Sequence, residues 1–519
     1  MPITQQGSLN TTALVVPDLY VQIVAPQNLV LNGVPTNVIG AVGTAQWGPV
    51  GTPTIVATMA DYAAAFGAIQ TRKYDMGTNV ATAVQQGASN FRCVRVADGT
   101  EARAVATVLT NCIVFTALWT GTLGNSVTVT VGAGSAAGSY RAVVGVPGQV
   151  AEVFDNLTGS GNALWVAMAS AINNGQGPMR PASRFITAAA GVGTTAAASA
   201  TYTLSGGTDG VTTITASVII GVDTTPRTGM YALRGQGCSI GLLSDFDTSA
   251  SWTTANTFGL AEGIYMILAG PASDTIANAV TVKNGAGLDS YACKMMFGDW
   301  IWWTDPVSGV LRLVSPQGFV AGRLANLSPE QSSLNKPLYG VAGSQRSGAP
   351  GNGLQGVYSA AELQTLFMAG IDVIANPQPG GHFWGVRAGH NSSSNQAVNG
   401  DNYTRMTNYI ASTLDAGMGR YVGRPITPTL FRQIKATLLD FLRNMQQQGM
   451  LSIGIDGSAP FSVICDATNN PTTRTALGYV QADVQVRYTP INEKFIVNLE
   501  GGQTVVVSRQ TTPDGRIAA

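Results

Sequence analysis

Ser239 is the residue whose setting comes nearest to that of a catalytic nucleophile. It lies in Gly-Cys-Ser-Ile-Gly, residues 237 to 241, which matches the G-x-S-x-G spelling of a nucleophile elbow. An elbow needs a strand that ends before the serine and a helix that begins after it, whereas here the strand-like residues follow Ser239. The sequence has only two histidines, His382 and His390, in glycine-rich and Ser/Asn-rich surroundings. A serine hydrolase is therefore kept only as a distant alternative.

The sequence contains patterns that partly resemble cofactor-binding and metal-binding motifs, but none of these motifs is complete. Gly132, Gly134 and Ala137 follow a strand-like run, as in a dinucleotide-binding loop, but a second strand-like run comes next and predicts a hairpin. None of the six lysines follows a glycine, which excludes a phosphate-binding loop of the G-x-x-x-x-G-K type. The two histidines have no acidic or thiol cluster beside them. We predict no catalytic residue, no metal and no cofactor, and hence no enzyme.

The cysteines and tryptophans read as packing residues. The cysteines are odd in number, widely spaced and without a C-x-x-C pair, which predicts buried free thiols rather than disulfides or a zinc site. They are Cys93, Cys112, Cys238, Cys293 and Cys465. The cluster Trp300, Trp302 and Trp303 has the composition of a stacking platform for a sugar or base, but strand alternation would bury part of it. Packing in a core or interface is the favoured interpretation.

Composition favours self-association. Charged residues are 11% of the 519, against about 25% in an ordinary soluble protein, and the 28 basic and 28 acidic residues cancel. This balance predicts neither nucleic-acid binding nor an electrostatic membrane contact, and near-zero net charge promotes association. The first residues lack the basic and apolar regions of a signal peptide, and no run of about 18 apolar residues occurs. We expect a cytosolic product without membrane insertion.

The elements that would position any site follow an α/β pattern with one interruption. Strand-like and helix-like segments alternate over 19–98, give way to a β-rich texture over 99–203 with one helix near Trp165, and alternate again from Ser239. The second α/β part is expected to join the first in one parallel sheet. Near the end, residues 493–499 and 503–509 read as two strands separated by Gly501 and Gly502.

The segment 427–448 predicts an amphipathic helix. Its apolar face comprises Phe431, Ile434, Leu438, Phe441, Leu442 and Met445. Arg432, Lys435 and Arg443 group on the other face. Such a face is ordinarily just solvated, and the sharper hypothesis is that it docks on an acidic partner.

The order of motifs resembles the contractile tail sheath family. The matching stretches, none decisive alone, are V-P-D-L-Y-V, G-V-P-T-N-V-I-G-A-V-G-T-A-Q-W-G-P-V, L-S-G-G-T-D-G, W-W-T-D-P-V-S-G, S-P-Q-G-F-V-A-G, G-I-D-V-I-A-N-P, F-W-G-V-R, N-Y-I-A-S-T-L, C-D-A-T-N-N-P and E-K-F-I-V. The β-rich insertion and the extreme ends lie outside the resemblance. Asp18 replaces the usual glycine, and the segment after Gly322 departs from the family pattern.

The resemblance implies a fold and a division of the chain. The fold would be a mixed α/β sheath core built from N-terminal and C-terminal segments, with a β-rich insertion and extended terminal arms. The predicted parts are an N-terminal arm 1–18, the first core part 19–98, a surface-exposed insertion 99–203, the remaining core 204–500 and a C-terminal arm 501–519.

It also implies function and partners. Copies would stack as hexameric rings into a helical sheath around a tail tube protein, with baseplate and tail terminator proteins at the ends, and would contract to deliver the genome through the host envelope. The expected location is the virion tail, assembled in the host cytoplasm.

Specific residues would tie the copies together. We expect Val15 and Val16, and the run Thr504, Val505, Val506 and Val507, to act as strands donated to neighbouring copies, and Arg432, Lys435 and Arg443 to face the tube. The sheath of a tail-like bacteriocin or of another contractile injection machine is the main alternative.

Overall fold

The computed structural model describes residues 3–4, 21–22, 31–350 and 356–504. The chain divides into a large unit, Met1–Tyr488, and a terminal segment, Thr489–Ala519. Val15, Val16 and Val505, Val506 and Val507 lie outside the described residues.

Eleven α-helices lie in the described residues. They are α1 Met59–Phe66, α2 Met76–Gln85, α3 Asn162–Asn174, α4 Ala216–Ile220, α5 Trp252–Glu262, α6 Ile276–Gly285, α7 Gln317–Ala325, α8 Ala360–Met368, α9 Asp401–Met418, α10 Pro428–Gln447 and α11 Thr472–Thr475. None of them, over the part of the chain that is described, has both the length and the apolar character needed to cross a bilayer.

The described strands number twenty-three. They are β1 Ile3–Thr4, β2 Val21–Gln22, β3 Ile39–Gly43, β4 Thr54–Val56, β5 Phe91–Arg95, β6 Val105–Val108, β7 Ile113–Ala117, β8 Thr128–Ala133, β9 Tyr140–Gly145, β10 Glu152–Leu157, β11 Ile186–Ala190, β12 Ala200–Thr203, β13 Ile240–Leu243, β14 Tyr265–Ala269, β15 Cys293–Met296, β16 Ile301–Thr304, β17 Leu311–Val314, β18 Val341–Ser344, β19 Ile371–Asp372, β20 Ile374–Ala375, β21 Gly385–Val386, β22 Phe461–Ile464 and β23 Asp483–Val486.

A seven-stranded sheet forms the centre of the large unit. Its order is β19-β15-β14-β13-β3-β5-β4, with all neighbours parallel except the edge strand β4. Strands β3, β13 and β14 are buried along their whole length, as expected for short apolar runs covered on both faces. The pairing of β3 with β13 joins the two α/β parts across the insertion, which confirms the sequence prediction of one mixed α/β core.

Helices cover both faces of this sheet. One hydrophobic core holds side chains of α1, α2 and α7, and the opposite core holds side chains of α5, α6 and α8. Helices α2 and α7 approach closely because Gly318 and Gly322 face α2: a Cβ on Gly322 would lie 2.5 Å from the Ala83 backbone. The glycines of the S-P-Q-G-F-V-A-G motif thus permit this helix contact.

The chain between β5 and β13 has a core of its own. Strands β10-β9-β8-β12 and β11-β7-β6 form two antiparallel sheets, and α3 packs against β10 and β11. Trp165 of α3 is fully buried in this core. Trp47, from the loop after β3, joins the same cluster and so ties it to the main sheet.

A third layer, here called the C-terminal layer, consists of α9, α10, β22 and β23. Its core includes Met406 of α9, Leu438 and Phe441 of α10 and Val463 of β22. Leu31, the first residue of the described range 31–350, is buried in the same core.

Candidate assembly interface

Ser239 has no catalytic setting in the structure. It lies directly before β13, so the strand follows the serine as the sequence predicts, and its Oγ donates to the backbone carbonyl of Val38 at 3.1 Å. Ser239 lines a cavity of about 430 Å³, together with Glu262, Arg405 and Tyr409, and no histidine lies among the described lining residues. The described lining of the cavity therefore offers no imidazole to act as the base of a serine triad.

The glycine pattern at Gly132 and the tryptophan cluster also have structural roles. Gly132 lies in β8, which pairs antiparallel with β9, so the glycine pattern is a hairpin. Trp303 is fully buried and its Nε1 donates to Gln85, while Nε1 of Trp300 donates to the Gly270 carbonyl. These contacts confirm packing rather than a stacking platform.

All five cysteines are free and buried. Burial raises the pKa of Cys238 and of Cys293 to about 12, so both are protonated at neutral pH. Among the described residues no three His, Cys, Asp or Glu side chains are grouped so that they could hold a metal ion.

Helix α10 provides one face of the C-terminal layer. The Thr427 side chain caps it by accepting from the Leu430 amide at 3.2 Å, and Pro428 occupies its first turn, where proline is well tolerated. The predicted apolar face is buried except for Phe431, which is half-buried. The 3.6-residue period of this segment therefore correctly identified its buried side.

Strands β22 and β23 form a sheet of only two strands. Phe461 and Val463 of β22, with Val484 and Val486 of β23, face the core of the layer, while Ser462 and Gln485 point outward and hydrogen-bond each other at 3.0 Å. Within the described residues neither strand has a second neighbour. Each strand therefore presents a row of backbone groups at an open edge.

The connection between β22 and β23 is held by the C-D-A-T-N-N-P motif. Asn470 Nδ2 donates to the Gln481 carbonyl at 2.8 Å, and Asn469 Nδ2 donates to the Ile464 carbonyl at 2.9 Å and to Asp483 at 3.0 Å. Hydrogen bonds from Thr468 hold the pKa of Asp466 below its usual value. These side-chain bonds fix the loop, so the two open edges keep a defined geometry.

Residues near both limits of the continuously described part of the large unit pack in this same layer. On the N-terminal side Leu31 is buried in the core of the layer, and the Val34 amide donates to Thr413 of α9 at 3.2 Å. On the C-terminal side Tyr488, the last residue of the unit, lies within hydrogen-bond distance of Thr407 of α9, at 3.1 Å. Leu31 and Tyr488 are thus both held in the layer that carries the open edges.

Of the two predicted C-terminal strands, the first lies wholly within the described residues. Residues 493–499 form no strand, so that prediction is wrong for the single chain, because an extended run becomes a strand only beside a hydrogen-bonding partner. Its apolar side chains Phe495, Ile496, Val497 and Leu499 are 69–90% exposed. Thr504 is exposed in a turn.

The three predicted basic residues of α10 differ in their surroundings. Arg432 and Arg443 are exposed, and Lys435 is half-buried. Lys435 Nζ lies 3.9 Å from Asp466, and Arg443 lies 3.6 Å from Asp440. Arg432 donates to Thr429 Oγ1 at 3.2 Å. The structure therefore keeps them on one helix but pairs two of them with acidic side chains.

A buried charged cluster escaped the sequence analysis. Lys294 of β15 donates to Asp372 of β19 at 2.6 Å and to Asp401 of α9 at 3.1 Å, and all three are buried. Tyr265 and Ser333 also donate to Asp401. Burial alone would raise the pKa of Asp401, but Lys294 and these hydroxyls hold it below its usual value.

This cluster fastens the C-terminal layer to the main sheet, because α9 begins at Asp401. Burial opposes the positive charge of Lys294, but Asp372 and Asp401 raise its pKa above the ordinary value. The sequence offered one signal for this cluster, a lysine inside the otherwise apolar run of β15. A charged side chain that is buried needs partners of opposite charge.

A second overlooked set lies where the insertion meets the core. Asp209, in the L-S-G-G-T-D-G motif, pairs with Arg72 at 2.5 Å and accepts from the Thr122 amide at 2.6 Å. Arg95 of β5 is buried and donates to the carbonyls of Thr120 and Asp209. The motif thus binds residues of both parts at the junction.

The sequence matches no protein-family model and no curated protein. The fold does match solved structures. The sheath tail protein of Desulfitobacterium hafniense aligns with a TM-score of 0.59 at 15% identity, over 86% of this chain and 93% of that one. The sheath tail protein of Listeria innocua aligns with a TM-score of 0.59 at 15% identity, over 83% and 89%.

An assembled machine shows the same likeness. The contracted sheath of the extracellular contractile injection system PVC aligns with a TM-score of 0.54 at 11% identity, over 95% of this chain and 99% of that one. The chain therefore has the fold of contractile tail sheath proteins, as the order of its motifs predicted.

Proposed function

We propose that the chain is the structural subunit of a contractile tail sheath. Copies polymerise as stacked hexameric rings around a tail tube, and the sheath contracts to drive the tube through the host envelope during genome delivery. The single observation that carries the proposal is the open two-stranded sheet β22–β23, which lies in the layer that also holds Leu31 and Tyr488. The shared fold of sheath proteins supports it.

Strand donation would join the copies. An extended segment can add to an open sheet edge through backbone hydrogen bonds, with its side chains giving specificity. We propose that Val15 and Val16 of the N-terminal arm 1–18, and Thr504 to Val507 of the C-terminal arm 501–519, add to the edges of β22–β23 in neighbouring copies. The exposed apolar side chains of residues 495–499 lie just before the second run and support its contact with another chain.

Such contacts are heterologous, so repeating them with a twist gives an open helical cylinder. The insertion, 99–203, would lie on the outside between the core parts 19–98 and 204–500, and Arg432, Lys435 and Arg443 would face the tube. The remaining partners would be baseplate and tail terminator proteins, and the location would be the virion tail after assembly in the host cytoplasm. None of these roles needs catalysis or a cofactor.

The sheath of a tail-like bacteriocin or injection machine is the second candidate. It is favoured by the likeness to the contracted PVC sheath, which covers 99% of that chain. Both candidates require the same subunit chemistry. Capsid and genome-packaging genes beside this one would indicate a phage, and their absence from a complete tail cluster would indicate a machine.

Electron microscopy of the purified chain over a concentration series tests the proposal. Hollow cylinders of repeating rings are expected. Deletion of residues 503–519 should abolish the cylinders while leaving a folded monomer by circular dichroism, because the donated strand is lost and the core is not. Cylinders that persist after the deletion would refute donation by this arm.

A proline substitution tests the accepting edge separately. The Arg487 amide donates to the Pro460 carbonyl on the β22 side. In an antiparallel pair, the amides of successive residues point alternately toward and away from the neighbouring strand. The Val484 amide, three residues before Arg487, therefore points away from β22. Val484→Pro should therefore block the edge of β23 without breaking its bonds to β22. Val484→Ala, which keeps the amide, is the matched control and should still form cylinders.

A further inference from the structure

The cavity beside Ser239 lies between the main sheet and the C-terminal layer. One wall consists of the loop before β13 and the end of α5, and the facing wall is one side of α9. The cavity volume of about 430 Å³ is within the range of small-molecule sites. Helix α9 contributes residues spaced by three and four, which share one helix face: Arg405, Asn408, Tyr409, Ser412, Asp415 and Ala416.

Arg405 is a buried cation without a carboxylate of its own. Its side chain belongs to a residue that is only 5% exposed, and its two terminal nitrogens donate to the backbone carbonyls of Ser328 at 3.0 Å and Leu327 at 2.7 Å. The carboxylate with the largest effect on it, Asp401, is already paired with Lys294. Burial lowers the pKa of Arg405 to about 10, so the guanidinium stays charged at neutral pH.

Asn408 adds a hydrogen-bond donor that has no acceptor. Its Nδ2 is buried and finds no partner among the described residues, although Asn408 lines the cavity. A buried donor left unpaired costs folding free energy, and most such groups are satisfied. Because Asn408 follows Arg405 by three residues, the two side chains are neighbours on the helix face. A carboxylate in the cavity has oxygen atoms enough to accept from both.

The rest of the lining restricts the ligand further. Leu233 and Ile264 give the cavity apolar surface. Glu262 also lines it, but lies 3.2 Å from Arg234, and Asp415 follows Arg405 by ten residues, which is about 15 Å along the helix axis. One buried cation balances one negative charge, and the acidic side chains disfavour a second. A monocarboxylate with an apolar body therefore fits this lining better than a phosphate dianion does.

We infer that this cavity is a binding site for a small monocarboxylic acid, with the carboxylate held by Arg405 and Asn408 and the apolar body against Leu233 and Ile264. The inference goes beyond the sheath role and does not rest on it. A bound acid would contact both walls at once, so it would stabilise the attachment of the C-terminal layer to the main sheet.

Titration of the full chain with hexanoate, followed by saturation-transfer NMR, tests the site. We expect a dissociation constant of about 1 mM, which is reasonable for a probe of this size. Hexanamide has the same shape without the charge and should bind at least about tenfold more weakly. Hexylammonium, which carries the opposite charge, should not bind.

Asn408→Leu tests the residue assignment. The change removes an unpaired buried donor and keeps the volume, so the free energy of unfolding should stay the same or rise, while the affinity for hexanoate should fall at least about fivefold. Asn444→Leu, at an exposed asparagine of α10 outside the cavity, is the matched control and should bind as the wild type does. Arg405 is kept, because its removal would also break the bonds to the carbonyls of Leu327 and Ser328.

Four outcomes would overturn the inference. They are no binding of hexanoate at millimolar concentration, equal binding of hexanoate and hexanamide, unchanged affinity in Asn408→Leu, and an equal loss in Asn444→Leu. A marked loss of stability in Asn408→Leu would also contradict it, because the side chain would then have a structural partner. The formation of cylinders is a separate measurement, and its failure would count against the sheath role and leave this site as it stands.

Discussion

At the scale of single residues, some of the buried charged side chains join separate parts of the fold. Lys294 connects strands β15 and β19 to the start of α9, and Asp209 connects the insertion to the core. A buried charge is stable only with partners, so each of these residues depends on side chains far away in sequence. That dependence can be tested directly at Lys294.

Lys294→Met should destabilise the chain by about 3–5 kcal/mol, because Asp372 and Asp401 would remain buried without their cation. Urea denaturation followed by circular dichroism measures the loss. Arg227→Met is the control: Arg227 and Asp223 are each 43% exposed, and removing that pair should cost less than about 1 kcal/mol. Similar losses in the two variants would show that the cluster is not a stabilising joint.

The same residues show where sequence reasoning stops. Lys294 lies 78 residues from Asp372 and 107 from Asp401, and no local pattern connects positions so distant. The sequence could only show that a lysine in an apolar strand needs partners. By contrast, the burial of Trp303 and of the five cysteines was predictable, since it follows from residue type and spacing.

At the scale of elements, local periodicity predicted what depends on one segment. The apolar face of α10 and the buried strands β3 and β14 appear as predicted because each pattern is contained within its own element. The strand predicted at 493–499 does not form, because a strand also needs a neighbour. Close contact between two helices likewise depends on two segments. It can be tested where α7 meets α2.

Gly322→Ala should destabilise the chain by about 1–3 kcal/mol, because the new Cβ would lie 2.5 Å from the Ala83 backbone and force α2 and α7 apart. Gly285→Ala is the matched control at the end of α6, where a Cβ meets nothing within 4 Å. That change should stabilise by about 0.5–1 kcal/mol. Thermal unfolding of both variants is the measurement, and shifts of the same sign would contradict the assigned contact.

At the scale of the whole molecule, the large unit combines four hydrophobic cores: two on the faces of the main sheet, one in the insertion and one in the C-terminal layer. The insertion packs around its own cluster, yet Trp47 and Asp209 bind it to the main sheet. We therefore expect the insertion and the core to unfold separately once that junction is weakened.

Asp209→Ala should leave the insertion folded but speed protease cleavage within residues 97–104 and 204–210, because Arg72 and the Thr122 amide lose their shared acceptor. Limited proteolysis with mass spectrometry of the fragments measures this. Asp247→Ala removes the more exposed pair with Lys73, whose side chain is 46% exposed, and should leave the cleavage rate unchanged. Equal rates in all three proteins would show that Asp209 does not hold the junction.

The packing of Leu31 and Tyr488 in one layer has a mechanical consequence. If neighbouring copies pull on the two terminal segments, the tension passes from Leu31 through α9 and α10 to Tyr488 and bypasses the seven-stranded sheet. The C-terminal layer would then bear the tension, and the main sheet and the insertion would bear little of it. If copies of the chain assemble as proposed, a foreign domain fused into the insertion should leave the force needed to break the assembly unchanged.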